Sequence, residues 1–358
     1  MPILTPDPDL QQKGALPLPE ANSDIVREAA EVLTLDDPLP IPAKAITVMR
    51  VKTGRFTLNV SINTVRKANR LVVTFMGARP AGTNAVNSRR PMFARRHWDA
   101  LFRSPILAIS DPQTEVDWQT SGQRAGFYVG TFQDDLVPEI LALVNKVCDE
   151  LGVARDKVVM YGASAGGTAA LLVGARRREQ TGVIAVSPYL RPDKFRELMI
   201  EIAARAAGGD LAAWERMGEL TPWRSNPLTG LRDGLNEGND TRVVVAQNLK
   251  DKTTINRHFP GLWRRFDIPP EGGLSSNGRI LTLMYDSEEA GHGHEPPAIS
   301  APLVRTAYEF FGNPIEEPPK KEKKKLGKAK QASRATLAAE RAGPVAEADD
   351  DEPDDGEE

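Results

Sequence analysis

Between residues 158 and 178 an unbroken apolar run, Val158-Val159-Met160-Tyr161, passes through Gly162-Ala163-Ser164-Ala165-Gly166-Gly167 into the small-residue stretch Thr168-Ala169-Ala170-Leu171-Leu172. The first part predicts a buried strand, and the last predicts a helix over 165–178. A Gly-x-Ser-x-Gly segment joining them is a sharp, strained turn in which neighbouring side chains would collide. Gly162 and Gly166 relieve that crowding, while Gly167, Ala169 and Ala170 let the helix pack closely. Such a turn projects the Ser164 hydroxyl beyond the sheet and leaves the Ala165 amide available to an anionic oxygen, with the helix dipole in support. Two rival readings of the glycines fail. Gly162 and Gly167 have the spacing of a phosphate loop, but Thr168 stands where its lysine belongs and Ala169 where its magnesium-binding hydroxyl belongs. The spacing also differs from that of a dinucleotide loop.

The flanking segments place the turn within a larger pattern. Residues 47–51 and 56–62 alternate and are β-branched, as antiparallel strands do. Residues 71–75, 105–109, 158–161, 183–186, 242–246 and 280–285 are short apolar runs of the buried parallel kind. Between them, residues 136–151 set Val137, Ile140, Leu141, Val144, Val147, Cys148 and Leu151 at spacings of three and four, which predicts an amphipathic helix stopped at Gly152. Strands alternating with helices predict an α/β fold with a mostly parallel, doubly wound sheet. Residues 190–239 break the rhythm with helical runs, and a helical lid over the strand ends is expected there.

Residues 1–44 are rich in proline and acid and read as an N-terminal arm, with one short helical stretch at 25–33. The main domain spans 45–313. Beyond it the lysine-rich block 320–330 and the acidic terminus 348–358 cannot bury a core, so residues 314–358 read as a disordered tail, able to meet a protein partner. A net charge of −3 gives no general pull toward nucleic acid, and no apolar run is long enough to span a bilayer. The N-terminus lacks a basic start and apolar stretch, so a cytoplasmic location is expected. The single cysteine, Cys148, falls on an apolar helical face and reads as core filling.

A serine hydroxyl needs a base within hydrogen-bond reach, and the base needs a carboxylate to fix its tautomer. On sheets carrying this turn the chain order is serine, acid, histidine, each just beyond a strand end. Of the four histidines, His97 precedes the serine, and His258 follows the strand from which the acid is expected. His292 and His294 follow the last strand and remain as two candidate bases. Asp251 comes off the end of strand 242–246 and is the expected acid. Asp240 lies at the opposite end of that strand, Asp267 sits further along a helix, and Asp286 shares the last strand with the histidines. The turn after strand 71–75 offers Gly77 and Ala78 as further oxyanion donors beside Ala165. Arg79, Arg89 and Arg90 follow, with Arg95 and Arg96, and could receive a carboxylate or phosphate of the substrate. No cofactor or metal is expected. The leading expectation is a serine esterase or deacylase acting through an acyl-Ser164 intermediate.

Several further segments carry a resemblance. Phe75-Met76-Gly77-Ala78, Ile109-Ser110-Asp111-Pro112, Gly126-Phe127-Tyr128-Val129-Gly130, the serine turn, Gln247-Asn248-x-x-Asp251 and Gly293-His294-Glu295-Pro296-Pro297 occur in that order. Together they resemble a group of bacterial α/β-hydrolase-fold proteins linked with surface or capsular polysaccharide synthesis, over residues 46–311. The resemblance implies a Ser-Asp-His triad at Ser164, Asp251 and a histidine. Members show Gly-His-x-Pro-Pro near the end, which selects His294, while the additional Gly291-His292 keeps His292 as the alternative. Members also carry a histidine soon after the aspartate. Lys252-Thr253-Thr254 stands there in this chain, and His258 is the nearest. The implied substrate is a carbohydrate-linked or other small ester. Acyl transfer to an alcohol and a non-catalytic accessory role in polysaccharide synthesis are the alternatives.

Overall fold

Apolar runs four to six residues long, bounded by glycines and polar turns, bury both faces only at the centre of a sheet covered by helices on each side. The computed structural model has that form. It describes residues 3–5, 26–67, 69–79, 91–114, 125–191, 210–220, 222–288, 291–292 and 295–312. The chain divides into a compact unit, Met1–Ile315, and Glu316–Glu358; every described residue lies in the first. The charged tail read from the sequence therefore lies outside the described residues.

Ten strands among the described residues form one sheet in the order β1-β2-β3-β5-β4-β6-β7-β8-β10-β9. They are β1 (Val26–Thr34), β2 (Ile46–Lys52), β3 (Thr57–Asn63), β4 (Leu71–Phe75), β5 (Ile106–Ile109), β6 (Val158–Ala163), β7 (Thr181–Val186), β8 (Thr241–Asn248), β9 (Gly273–Leu274) and β10 (Ile280–Tyr285). From β5 to β10 the neighbours are parallel. The β2–β3 and β3–β5 pairs are antiparallel, as their alternating sequences predict. Strands β4 to β7 are buried at every position, so their faces meet helices rather than water.

Helix α1 (Asp99–Phe102) precedes β5, and α2 (Leu136–Leu151) covers one face. The Asp135 carboxylate accepts the Val137 N–H at 3.0 Å to cap α2, and Gly152 ends it at φ +64°. Its Ile140, Leu143, Val144 and Val147 enter the core, where each buried aliphatic side chain contributes about 1.5–3 kcal/mol. Helix α3 (Ala165–Ala175) is buried along its whole length, which its run of Ala, Gly and Leu permits. After β7 come α4 (Leu211–Leu220), α5 (Pro222–Ser225) and α6 (Pro227–Asn236), in the region expected to form a lid; its residues 192–209 and 221 lie outside the described residues. Helix α6 packs close to α3: a β-carbon on Gly234 would lie 2.1 Å from the Ala175 carbonyl oxygen. Helices α7 (Lys252–Phe266) and α8 (Pro297–Phe310) complete the layers. No helix of the described residues is long and apolar enough to cross a membrane.

One local expectation is corrected. Residues 25–33 read as a short helix, yet Val26–Thr34 is strand β1, paired parallel with β2. The helix formers in Glu28-Ala29-Ala30-Glu31 set a preference worth only tenths of a kcal/mol per residue. The open edge of β2 offers a row of backbone partners that outweighs it, and a register shift between Glu28 and Val32 absorbs the mismatch.

Candidate active site

The strand-turn-helix at Ser164 is built on backbone crowding. Ser164 has φ 54° and ψ −122°, a strained conformation for a residue with a β-carbon. A β-carbon on Gly162 would sit 2.0 Å from the Gly166 carbonyl oxygen, and one on Gly166 would sit 2.5 Å from that of Phe75. Glycine is therefore required at both positions by contact with backbone, which cannot move aside. The Ser164 N–H donates to Val186 across the sheet at 2.8 Å, pinning the turn to β7. Ala165 is the first residue of α3, so its N–H has no partner within the helix.

Ser164, only 8% exposed, lies 3.1 Å through Oγ from His292 Nε2. The other ring nitrogen, Nδ1, lies 2.7 Å from Asp251 Oδ2. A proton held at Nδ1 by the carboxylate leaves the Nε2 lone pair to accept from the serine hydroxyl. Asp251 follows β8 and caps α7, its Oδ1 accepting the Thr254 N–H at 3.1 Å. Burial alone would raise its carboxyl, but hydrogen bonds from His292 and Thr254 outweigh that and hold it down to about 2. The histidine loop is tied to the same strand end: Asn248 Nδ2 donates to the carbonyls of Ser287 at 2.8 Å and Gly291 at 3.0 Å. The structure thus brings the alternative histidine, His292, against Ser164, and His294 lies outside the described residues. The other acids are elsewhere engaged. Asp240 pairs with Arg279, Asp286 faces Lys250 at 3.5 Å, and Asp267 ends α7 at φ 51°.

A lowered carboxyl value ties stability to acid pH with a definite sign. What these hydrogen bonds contribute is complete above the ordinary value of 3.8 and is lost as pH falls through about 2. The urea midpoint of Asp251→Asn is therefore expected to fall below that of the wild type at ~pH 5 and above, with the gap closing toward ~pH 2. A gap that persists unchanged at the acid end would remove the carboxylate as its source.

Some of the neighbours, Tyr189 among them, are not picked out by sequence spacing. The Tyr189 ring lies 4.9 Å from that of His292 and 5.3 Å from that of His258. His258 is fully buried and accepts the Arg191 N–H through Nδ1 at 2.8 Å, the role of a neutral loop anchor. Thr254 Oγ1 lies 3.1 Å from His292 Nδ1. Below the turn, Glu295 receives the Tyr161 hydroxyl and pairs with Arg95 at 3.0 Å, both acid and base being buried. The Arg95 guanidinium lies over the rings of both Trp98 and Tyr161, 4.8 and 5.0 Å from their centroids. Tyr161 is three residues before Ser164, so its hydrogen bond to Glu295 joins the chain after the histidine loop to β6. Arg79 is 1% exposed, withdrawn from solvent, and Arg89 and Arg90 lie outside the described residues.

After β4 the chain turns at Met76, Gly77 and Ala78. Gly77 is buried beside Ser164, since a β-carbon there would meet Ala163 O at 3.3 Å and Ser164 Cβ at 4.0 Å; Ala78 is exposed. The loop Gly126-Phe127-Tyr128-Val129-Gly130 carries two successive non-glycine residues with φ +58°, a strain of about 1–3 kcal/mol each. Three side chains hold it. Asp111 accepts the Gly126 N–H at 2.9 Å, Gln113 bonds both the N–H and carbonyl of Gly130, and the buried Arg224 of α5 donates to the Val129 and Thr131 carbonyls.

The sequence matches no family model and no curated protein. Solved structures resemble the chain in fold. An S-formylglutathione hydrolase from Agrobacterium tumefaciens superposes with a TM-score of 0.51 at 13% identity, covering 75% of this chain and 94% of that one. A glycosylation-associated protein (Gap123) complex from Streptococcus agalactiae gives 0.48 at 16% identity, covering 74% of this chain and 47% of that one. The capsule O-acetyltransferase of Neisseria meningitidis serogroup A gives 0.45 at 12% identity, over 71% and 94%. This chain thus spans just under half the length of the Streptococcus agalactiae chain it matches.

Proposed function

We propose that this chain, which has the α/β-hydrolase fold, is a serine hydrolase that cleaves an ester through an acyl-Ser164 intermediate. The observation that carries the reading is the continuous relay from Ser164 Oγ through His292 to Asp251, with separations of 3.1 and 2.7 Å, at the strained turn. In the first step His292 Nε2 takes the serine proton as Oγ attacks the ester carbonyl. The oxygen of the tetrahedral intermediate becomes negative, and the Ala165 amide with the Gly77 or Ala78 amide stabilises it. The protonated His292 returns its proton to the leaving alkoxide, and the acyl group stays on Ser164. Water then enters and attacks the acyl carbonyl as it gives a proton to His292; the bond to Ser164 Oγ breaks, Oγ takes that proton back from His292, and the acid leaves. Asp251 remains ionised throughout and holds the imidazole in the required tautomer.

The insertion 190–239 acts as the cover of this site, and the region 45–313 as the catalytic domain. The acyl acceptor is water in this reading; an alcohol in its place gives acyl transfer with the same residues. The test is reaction of the full chain with a fluorophosphonate probe, mapped by peptide mass. The adduct is expected on Ser164, and a folded wild type that stays unlabelled would refute the proposal. Product analysis of a small acetyl ester with and without an added sugar acceptor then separates hydrolysis from transfer.

A further inference from the structure

We infer that Tyr128 is a positioning residue for the oxyanion turn, and that the strained loop carrying it exists to place its hydroxyl. The inference rests on the hydrolase reading and deepens it. Strands β4 and β5 run parallel, with Phe75 opposite Ile109 as their last pair. One residue further on they diverge, and the Met76 N–H and Ile109 carbonyl would face each other without a ladder partner. The Tyr128 hydroxyl bridges them: it accepts the Met76 N–H at 2.9 Å and donates to the Ile109 carbonyl at 2.7 Å. Its ring stands edge-on to Phe75 at 5.2 Å, and the residue is 1% exposed.

The side chain therefore extends the β4–β5 ladder by one rung from outside the sheet. Two consequences reach the chemistry. The Met76 amide is consumed, which leaves Gly77 and Ala78 as the donors the turn can offer to an oxyanion. The direction in which the chain leaves β4 is also fixed, and Gly77 is held within 4.0 Å of Ser164 Cβ, as measured from a β-carbon built on it. An observed pair of left-handed residues, Phe127 and Tyr128, thus acquires a reason. A relaxed loop would carry the phenol away from the end of β4. The three side chains that hold the loop, Asp111 and Gln113 from the turn after β5 and Arg224 from α5, serve the same placement.

The experiment compares Tyr128→Phe with Tyr308→Phe. Tyr308 is equally buried but lies in α8, beside the starts of the strands and away from Ser164. Turnover of a p-nitrophenyl acetate substrate, binding of a boronic acid that mimics the tetrahedral intermediate, and amide hydrogen exchange across residues 75–78 are measured on each full-length variant. For Tyr128→Phe, kcat is expected to fall ~10- to 100-fold with KM within about twofold, the boronate to bind weaker by a similar factor, and the 75–78 amides to exchange at least ~10-fold faster. Tyr308→Phe is expected to keep wild-type kcat and exchange in that segment. A Tyr128→Phe variant with wild-type kcat and boronate affinity overturns the inference, as does an equal kcat loss in both variants. A wild type inert to ester and fluorophosphonate alike instead overturns the hydrolase reading on which it rests.

Discussion

Replacing His292 with alanine is expected to lower ester turnover by roughly four orders of magnitude, while replacing His294 leaves it within a few-fold of the wild type. The contrast follows from geometry. His292 has both ring nitrogens engaged, Nε2 at 3.1 Å from Ser164 Oγ and Nδ1 at 2.7 Å from Asp251. One imidazole fills the space between Ser164 and Asp251, and without it no other ring among the described residues contacts both. The residual rate in His292→Ala should come from the oxyanion amides and binding, so KM should move little while kcat collapses. The decisive measurement is single-turnover acylation by a p-nitrophenyl ester, with Ser164→Ala as the blank. If His294→Ala abolished the burst and His292→Ala retained it, the relay drawn here would be wrong.

Gly162→Ala is expected to destabilise the chain by roughly 3 kcal/mol or more and to remove probe labelling with it. The added β-carbon would stand 2.0 Å from the Gly166 carbonyl oxygen and 2.7 Å from the Gly167 nitrogen. These are backbone atoms of the turn and of α3, and α3 is buried on every side. Relief would require lifting the helix from β4, where Gly166 already sits against the Phe75 and Met76 carbonyls. Gly152 makes the useful comparison. A β-carbon there meets nothing within 4 Å, and only its φ of +64° resists substitution, so Gly152→Ala should cost about 1 kcal/mol. Urea midpoints of the two variants separate crowding from conformational preference. Equal midpoints for both would show that the turn can relax in a way its close contacts do not suggest.

Much of the architecture was legible because short-range rules governed it. The helix at Leu136–Leu151 and the strand at Ile280–Tyr285 match their apolar periodicity to the residue. Each has a consistent local pattern and a bounded end. Residues 25–33 read as helix while Val26–Thr34 forms a strand, because that outcome depends on a partner strand some twenty residues away, and local preference carries no information about an open sheet edge. The position of Asp251 was legible as well. Asp251 was the carboxylate expected directly off a strand end, and its side chain there caps the next helix and faces His292.

The two histidines show where chain order stops. His292 and His294 are two residues apart, follow the same strand and have the same chemistry, so order and residue type assign neither, and the motif resemblance pointed to His294. What brings His292 to Ser164 is a hydrogen bond from Asn248 to the Gly291 carbonyl, together with Asp251 and Thr254 at Nδ1. Those contacts join residues about forty positions apart, and a loop's path depends on which distant groups hold its carbonyls. Tyr128 shows the same division. Its segment was noticeable as a motif, but its hydroxyl acquires meaning only beside the diverging ends of β4 and β5. The sequence by itself determined that a serine would stand on a strained turn at the end of a parallel strand, because steric crowding there is local and only glycine relieves it. Tertiary structure alone decided which imidazole reaches that serine and which hydroxyl bridges the diverging ends of β4 and β5, because hydrogen-bond reach is a matter of ångströms between segments the chain order leaves free.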